Sequence, residues 1–179
     1  MPDSPTGPGK KNLEQVGRVR TNHIGPVSLD SPQHQYLSFR LSKEWYALSV
    51  DKLVEILPLP RITRVPSVPD HVLGVMNLRG EVVSAIDLKR FFGLPRAAPH
   101  SDPTIVVVEQ GEVRTGLLVD TIGDLMGVNP EELNEEPPLV GGARRSFFQG
   151  ACRWGEVLVS IINLETLLQS EALFSLETE

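Results

Sequence analysis

The feature that most constrains this chain is that it repeats itself. Shifted by 69 positions without a gap, Tyr36–Ile56 falls on Ile105–Leu125, so that Leu48 meets Leu117, Val50 meets Val119, Asp51 meets Asp120, Leu53 meets Ile122, Glu55 meets Asp124 and Ile56 meets Leu125. Shifted by 75 and, past one inserted residue, by 76, Gly80–Phe92 falls on Gly155–Leu168, with six of thirteen aligned positions identical. Two strips that agree in the same order at nearly the same offset mark an internal duplication. A period near 70 is too long for a solenoid repeat and means two small domains or subdomains. A unit of that size buries only about 60% of the surface its unfolded chain exposes. The two halves are therefore expected to share a core.

Short β-like runs lie between turn signals at Tyr36–Leu41, Trp45–Val50, Glu81–Ile86, Thr104–Glu109, Val113–Val119 and Glu156–Ile162. That spacing points to small barrels or a sandwich. Helical stretches are short: Asp51–Ile56, Leu88–Phe92, Leu164–Leu173, and Pro130–Leu133 with Asn129 as its N-cap and Pro130 at the first helical position. Residues 1–34 are broken by five prolines and four glycines and read as a flexible leader. The expected chain is mainly β, with one compact unit following the leader.

Charge narrows the function classes. The net charge of −6 argues against phosphate-backbone binding, which needs a concentrated positive face. Residues 35–102 hold nine Lys/Arg against seven Asp/Glu, giving +2, whereas 103–179 hold four against thirteen, giving −9. The halves cannot present the same surface to a partner. Much of the acidity sits in Glu131, Glu132, Glu135 and Glu136, which read as a solvated loop. The longest aliphatic run, Ile105–Val108, is far short of the roughly 20 residues that cross a bilayer, and no secretory signal pattern opens the chain, so a cytoplasmic protein is expected. One cysteine, Cys152, closes no internal disulfide and reads as a buried, inert thiol.

The usual catalytic constellations do not appear. None of His23, His34, His71 and His100 sits at ligand spacing from another histidine or from Cys152, and no phosphate-binding glycine loop or nucleophile elbow occurs. No cofactor, metal or catalytic residue is assigned. Paired carboxylates brought together from distant segments stay open.

A different kind of motif stands out between Pro66 and Leu88: Pro-Ser-Val-Pro leads to Gly74-Val-Met-Asn-Leu-Arg-Gly80, then an apolar strand, then Asp87-Leu88. It resembles the CheW-like domain of bacterial chemotaxis. Val50-Asp51-x-Leu53-Val54-Glu55-Ile56 upstream and Gly150, Gly155 and Asn163-Leu164 downstream extend the resemblance from about Gln35 to Leu168. It implies two pseudo-symmetric SH3-like five-stranded β-barrels packed across a shared core, with a few short helices. The domain would span 35–170, with subdomains near 35–102 and 103–170, terminal strands open to exchange between them, and a tail at 171–179. It further implies a non-catalytic adaptor that couples the cytoplasmic tips of methyl-accepting chemoreceptors to the regulatory domain of the histidine kinase CheA, acting at the receptor array through these partners.

Matched motif to motif, Arg79, Asn77 and Gly74 fall on or beside the family's Asn-Leu-Arg-Gly turn, and Leu53 and Glu55 on its receptor-side helical segment. These five are the receptor-contact candidates; the kinase-binding residues are not assigned. On the residues alone, Arg79 has two roles open to it: meeting a carboxylate on a partner helix, or pinning its own turn by pairing with Glu55 or Glu81. Leu53, Ile56 and Val75 are either the floor of a helix-binding groove or core, and Trp45 and Trp154 are assigned to the barrels. The basic segment Pro58–Arg64 and the long acidic stretch Asn129–Arg145 depart from the family pattern. Two other readings compete: a CheW-like adaptor for a pilus-motility or other non-flagellar array, and, from another class, a small β-barrel ligand-binding or enzymatic module.

Overall fold

A computed structural model describes residues 34–95 and 103–174. The leader before His34, the connection that carries His100, and the tail beyond Phe174 lie outside the described residues. Strands β1 (His34–Leu41) and β2 (Glu44–Ser49) form a hairpin, followed by a 3-10 turn at Val50–Lys52 and strand β3 (Leu53–Pro58). Strands β4 (Val72–Leu78) and β5 (Glu81–Asp87) form a second hairpin that runs into helix α1 (Leu88–Phe91). The second half repeats this series: β6 (Thr104–Gln110) and β7 (Val113–Val119), then β8 (Thr121–Val128), then β9 (Phe148–Trp154) and β10 (Val157–Ile162), then α2 (Leu164–Leu168). A last short helix, α3 (Glu171–Phe174), follows.

The strands make two five-stranded sheets, in the orders β8-β1-β2-β10-β9 and β3-β6-β7-β5-β4. Substituting each strand by its repeat converts one order into the other, so the duplication is a pseudo-twofold axis of the fold. The leading hairpin of each half belongs to the opposite barrel. Barrel one contains β1 and β2 with β8, β9 and β10; barrel two contains β6 and β7 with β3, β4 and β5. Each exchanged hairpin is seated by one parallel pairing, β2 on β10 and β7 on β5. Local details repeat as well. Asp87 and Asn163 are equivalent N-caps, accepting from Arg90 N at 3.2 Å and Thr166 N at 3.1 Å, so each supplies an acceptor to an otherwise open helix terminus.

Exchange produces three cores. Tyr36, Ala47, Met126, Cys152, Val159 and Ile161 fill barrel one, and Met76, Leu78, Val83, Ile105 and Val107 fill barrel two. Between them lies the largest cluster, which joins Phe39, Leu41, Tyr46 and Leu48 of barrel one to Ile86, Leu88, Phe92, Val106, Val108 and Leu117 of barrel two. Strand β6 explains its own sequence: Ile105 and Val107 point into barrel two while Val106 and Val108 point into the shared core. A strand buried on both faces reads as a continuous apolar run. Each such side chain contributes about 1.5–3 kcal/mol of burial, so the shared core is what makes two marginal barrels into one stable unit.

The structure corrects several sequence expectations. Asp51–Ile56 is not helical: one 3-10 turn ends at Lys52, and Leu53–Pro58 is strand β3, paired to β6. Val54 and Ile56 are β-branched and alternate with Leu53 and Glu55 in exposure, which is a strand period. The stretch Leu164–Leu173 is two helices broken at Gln169–Ser170. Pro130–Glu132 is a single 3-10 turn, tied where Glu132 accepts from Asn129 N at 2.7 Å. Strands β4, β8 and β9 were not among the expected strands.

Candidate partner-binding surface

Three of the candidates, Arg79, Asn77 and Glu55, come together at the β4–β5 turn of barrel two. Leu78 pairs with Glu81, so Arg79 and Gly80 are the two central residues of the β4–β5 hairpin. Their φ values are +51° and +87°, the left-handed pair that matches the twist of the flanking strands. Gly80 adopts this freely, but arginine does not, and Asn77 holds the turn by accepting from Gly80 N at 3.0 Å.

Glu55 reaches the same place from β3. The β3–β6 pairing slips between Leu53↔Val108 and Glu55↔Val107, and the bulge at Val54 re-aims the strand. Arg79 donates from Nε to Glu55 Oε2 at 3.1 Å and from Nη2 to Oε1 at 3.2 Å, a two-pronged pair. Its side chain remains 80% exposed against 29% for Glu55, so the carboxylate orients the guanidinium without covering it. The Glu55 hydrogen bond raises the Arg79 pKa, and the charge persists at every working pH. Glu81 is engaged elsewhere, with Arg114, which also holds Glu109. The internal partner of Arg79 is therefore Glu55.

The other candidates divide. Leu53 is half-buried and packs against the shared core, and Glu55 sits on a strand rather than a helical segment. Val54 and Ile56 expose apolar surface on the face of β3 that alternates with Glu55. Asn77 is exposed but works within the turn. Gly74 is buried. Its φ is +137°, and a Cβ there would lie 2.1 Å from the Thr63 carbonyl oxygen. Glycine is needed so that the segment 59–65 can cross β4, where Thr63 and Val75 exchange two backbone hydrogen bonds of 2.8 Å. Trp45 and Trp154 pack on the core of barrel one. Burial pushes the Cys152 thiol up to about 11, with Glu132 adding to it, so the group is protonated and unreactive at neutral pH.

A second crossing segment was not legible in the sequence. Glu135 and Ala151 exchange backbone hydrogen bonds of 3.1 and 3.0 Å over β9, and Gly150 lies below, where a Cβ would meet the Leu133 carbonyl oxygen at 3.0 Å. Ala151 and Gly150 stand 76 residues after Val75 and Gly74, so this is the same device in the other barrel. The only sequence signal was the shared glycine within the repeat.

The twin barrel carries an oriented, exposed cation at the β4–β5 turn of barrel two. Among known proteins, the model of the CheW-like domain family matches residues 35–172, and the chain belongs to that family. It is 28% identical over 148 residues to the chemotaxis protein CheW of Klebsiella aerogenes, covering 83% of this chain and 89% of that one. It is 30% identical over 148 residues to the probable chemotaxis protein CheW of Rhizobium etli, covering 81% and 96%. The crystal structure of the scaffolding protein TtCheW from Thermoanaerobacter tengcongensis superposes with a TM-score of 0.70 at 27% identity, covering 86% of this chain and 98% of that one. The chain is a scaffold protein of the chemotaxis class.

Proposed function

We propose that this chain links the cytoplasmic tip of a chemoreceptor to the regulatory domain of the histidine kinase CheA, without itself transforming a substrate, and that it sits at the receptor array through these partners. The observation that carries the receptor side is the Arg79 turn. A permanently charged fork is held in a strained conformation by Glu55 and Asn77, facing solvent. A carboxylate on a receptor helix supplies the natural counterpart. Among the described residues no helix is long and apolar enough to cross a membrane.

Co-sedimentation of the purified protein with receptor-containing membranes and kinase tests this. The wild type is expected in the pellet with both. Arg79→Gly removes the charge and relieves the left-handed strain, so it is expected to unfold at the same or a higher temperature while losing receptor coupling by tenfold or more. A variant that keeps full coupling would remove Arg79 from the binding surface; one that unfolds early would give it a structural role instead.

A further inference from the structure

The two crossing segments occupy equivalent places on the two barrels, yet they carry opposite charge. Each is fastened to a strand edge by a pair of backbone hydrogen bonds, Thr63 with Val75 and Glu135 with Ala151. Residues 59–65 contain Arg61 and Arg64 and no acid; residues 131–136 contain Glu131, Glu132, Glu135 and Glu136 and no base. The acidic segment is partly neutralised from within, by Arg145 on Glu136 at 2.9 Å and Arg153 near Glu135 at 3.9 Å. The basic segment is not. Among the described residues Arg61 and Arg64, like Arg40 and Arg144, have no carboxylate partner, whereas Arg79, Arg90, Arg114, Arg145 and Arg153 each have at least one.

The basic segment also has the makings of a contact surface. Arg61, Thr63, Arg64 and Val65 are exposed, and Leu59 and Val65 each expose 38% of their surface beside the two cations. Pro58, Pro60 and Pro66 stiffen the backbone, and the strap is tied at Leu59 N to Pro103 O at 3.0 Å as well as at Thr63. Little conformational freedom is left to lose on binding. Ile62 alone turns inward, against the core of barrel two, as an anchor.

We propose that the strap 59–65 docks an acidic segment of a protein partner, with carboxylates on Arg61 and Arg64 and apolar side chains against Leu59 and Val65, and that the acidic segment 131–136 keeps the same partner off the equivalent place on barrel one. A pseudo-symmetric scaffold offers each partner two similar landing sites. Opposite charge at matched positions breaks that degeneracy by repulsion at the wrong site as well as attraction at the right one. The proposal rests on the coupling function above for the identity of the partner, and on charge complementarity for its chemistry.

The test uses the full chain and three proteins: wild type, Arg61→Glu/Arg64→Glu, and Glu131→Lys/Glu132→Lys. Affinities for the purified kinase regulatory domain and for a receptor tip fragment are measured at two salt concentrations, alongside a labelled peptide alternating Glu and Leu and its Lys and Leu counterpart. The arginine reversal is expected to weaken one of the two proteins and the acidic peptide by tenfold or more, to lessen the salt dependence, and to leave thermal unfolding unchanged. The glutamate reversal is expected to add a second binding site for the acidic peptide on barrel one, seen as amide shifts near 131–136. Unchanged affinities for both proteins and for the peptide on arginine reversal would overturn the proposal while leaving the coupling function intact. A wild type that binds neither protein would overturn the coupling function, and the peptide measurements would then decide the strap by themselves.

Discussion

Replacing Gly74 by alanine tests how the strap 59–65 is seated on barrel two. The added Cβ would stand 2.1 Å from the Thr63 carbonyl oxygen, 2.8 Å from its carbon and 3.0 Å from Arg64 Cα, all backbone atoms that no rotamer change can clear. The strap must lift, and it then loses the two 2.8 Å hydrogen bonds between Thr63 and Val75, worth about 1 kcal/mol each. The backbone at φ +137° adds strain of about 1–3 kcal/mol for a residue with a Cβ. The expected loss is roughly 3–5 kcal/mol, which for a domain of this size lowers Tm by roughly 6–20 °C in a circular dichroism melt. Two controls separate the causes. Gly80→Ala has φ +87° but open space around its Cβ, so it carries the backbone strain alone, about 1–2 kcal/mol. Gly150→Ala meets Leu133 O at 3.0 Å without a left-handed backbone, so it is expected to be milder than Gly74→Ala. A Gly74→Ala protein that melts within about 3 °C of wild type would refute the claim that close approach of the strap requires glycine.

Two further substitutions probe the interior. Asp120 joins the barrels: its Oδ1 lies 3.1 Å from Lys89 Nζ and its Oδ2 accepts from Ser42 N at 2.8 Å, with the side chains only 4% and 12% exposed for Asp120 and Lys89. Asp120→Ala leaves a buried ammonium and a backbone donor without this partner, and a loss of about 3–5 kcal/mol is expected in urea unfolding; a loss below about 1 kcal/mol would show that water reaches the pair. Tyr46 hides its hydroxyl among Phe39, Phe92 and Phe148 with no hydrogen-bond partner among the described residues. Tyr46→Phe is therefore expected to stabilise the fold by roughly 1 kcal/mol. Burial first, then Glu44, pushes the Tyr46 phenol up to about 12, from 10.0. Between those pH values the unfolded chain gives up a proton that the folded chain keeps, so wild-type stability falls as pH rises from 10 to 12, and the Phe variant lacks that part of the fall.

The sequence made the duplication legible because side chains that face a shared core are constrained twice, once in each half. It made Arg79 legible because a family motif surrounds it. It could not show which copy of the leading hairpin pairs with which barrel, since an offset of 69 is satisfied equally by two separate barrels and by two exchanged ones. Strand β3 misled because a 3-10 turn and a strand with polar and apolar residues mixed along it imitate a short helix; pairing with β6 decided the matter. Strands β4, β8 and β9 escaped because Gly74, Asn77, Gly123, Asp124, Gly127 and Gly150 dilute the β-branched pattern, and those residues are present for turns, crossings and bulges rather than for strand propensity. The straps escaped for a simpler reason. One backbone pair, Thr63 with Val75, has no periodicity to read.

A scaffold that sets the spacing of two partners needs barrels that do not move against one another, and hairpin exchange provides this. Separating the barrels would strip β6 of the neighbours of Val106 and Val108 and open the cluster in which Tyr46 stacks on Phe92 at 5.7 Å and Phe148 at 6.1 Å. Neither barrel keeps five strands if one half of the chain unfolds, because each draws strands from both halves. The expected consequence is one cooperative transition. Both tryptophans, Trp45 and Trp154, lie against the core of barrel one, so their fluorescence reports that barrel alone, while far-ultraviolet circular dichroism reports both. Coincident denaturation curves, with calorimetric and van't Hoff enthalpies equal, are expected. Fluorescence that changes at a lower denaturant concentration than circular dichroism would mean barrel one melts alone, and a rigid spacing enforced by the shared core would have to be abandoned.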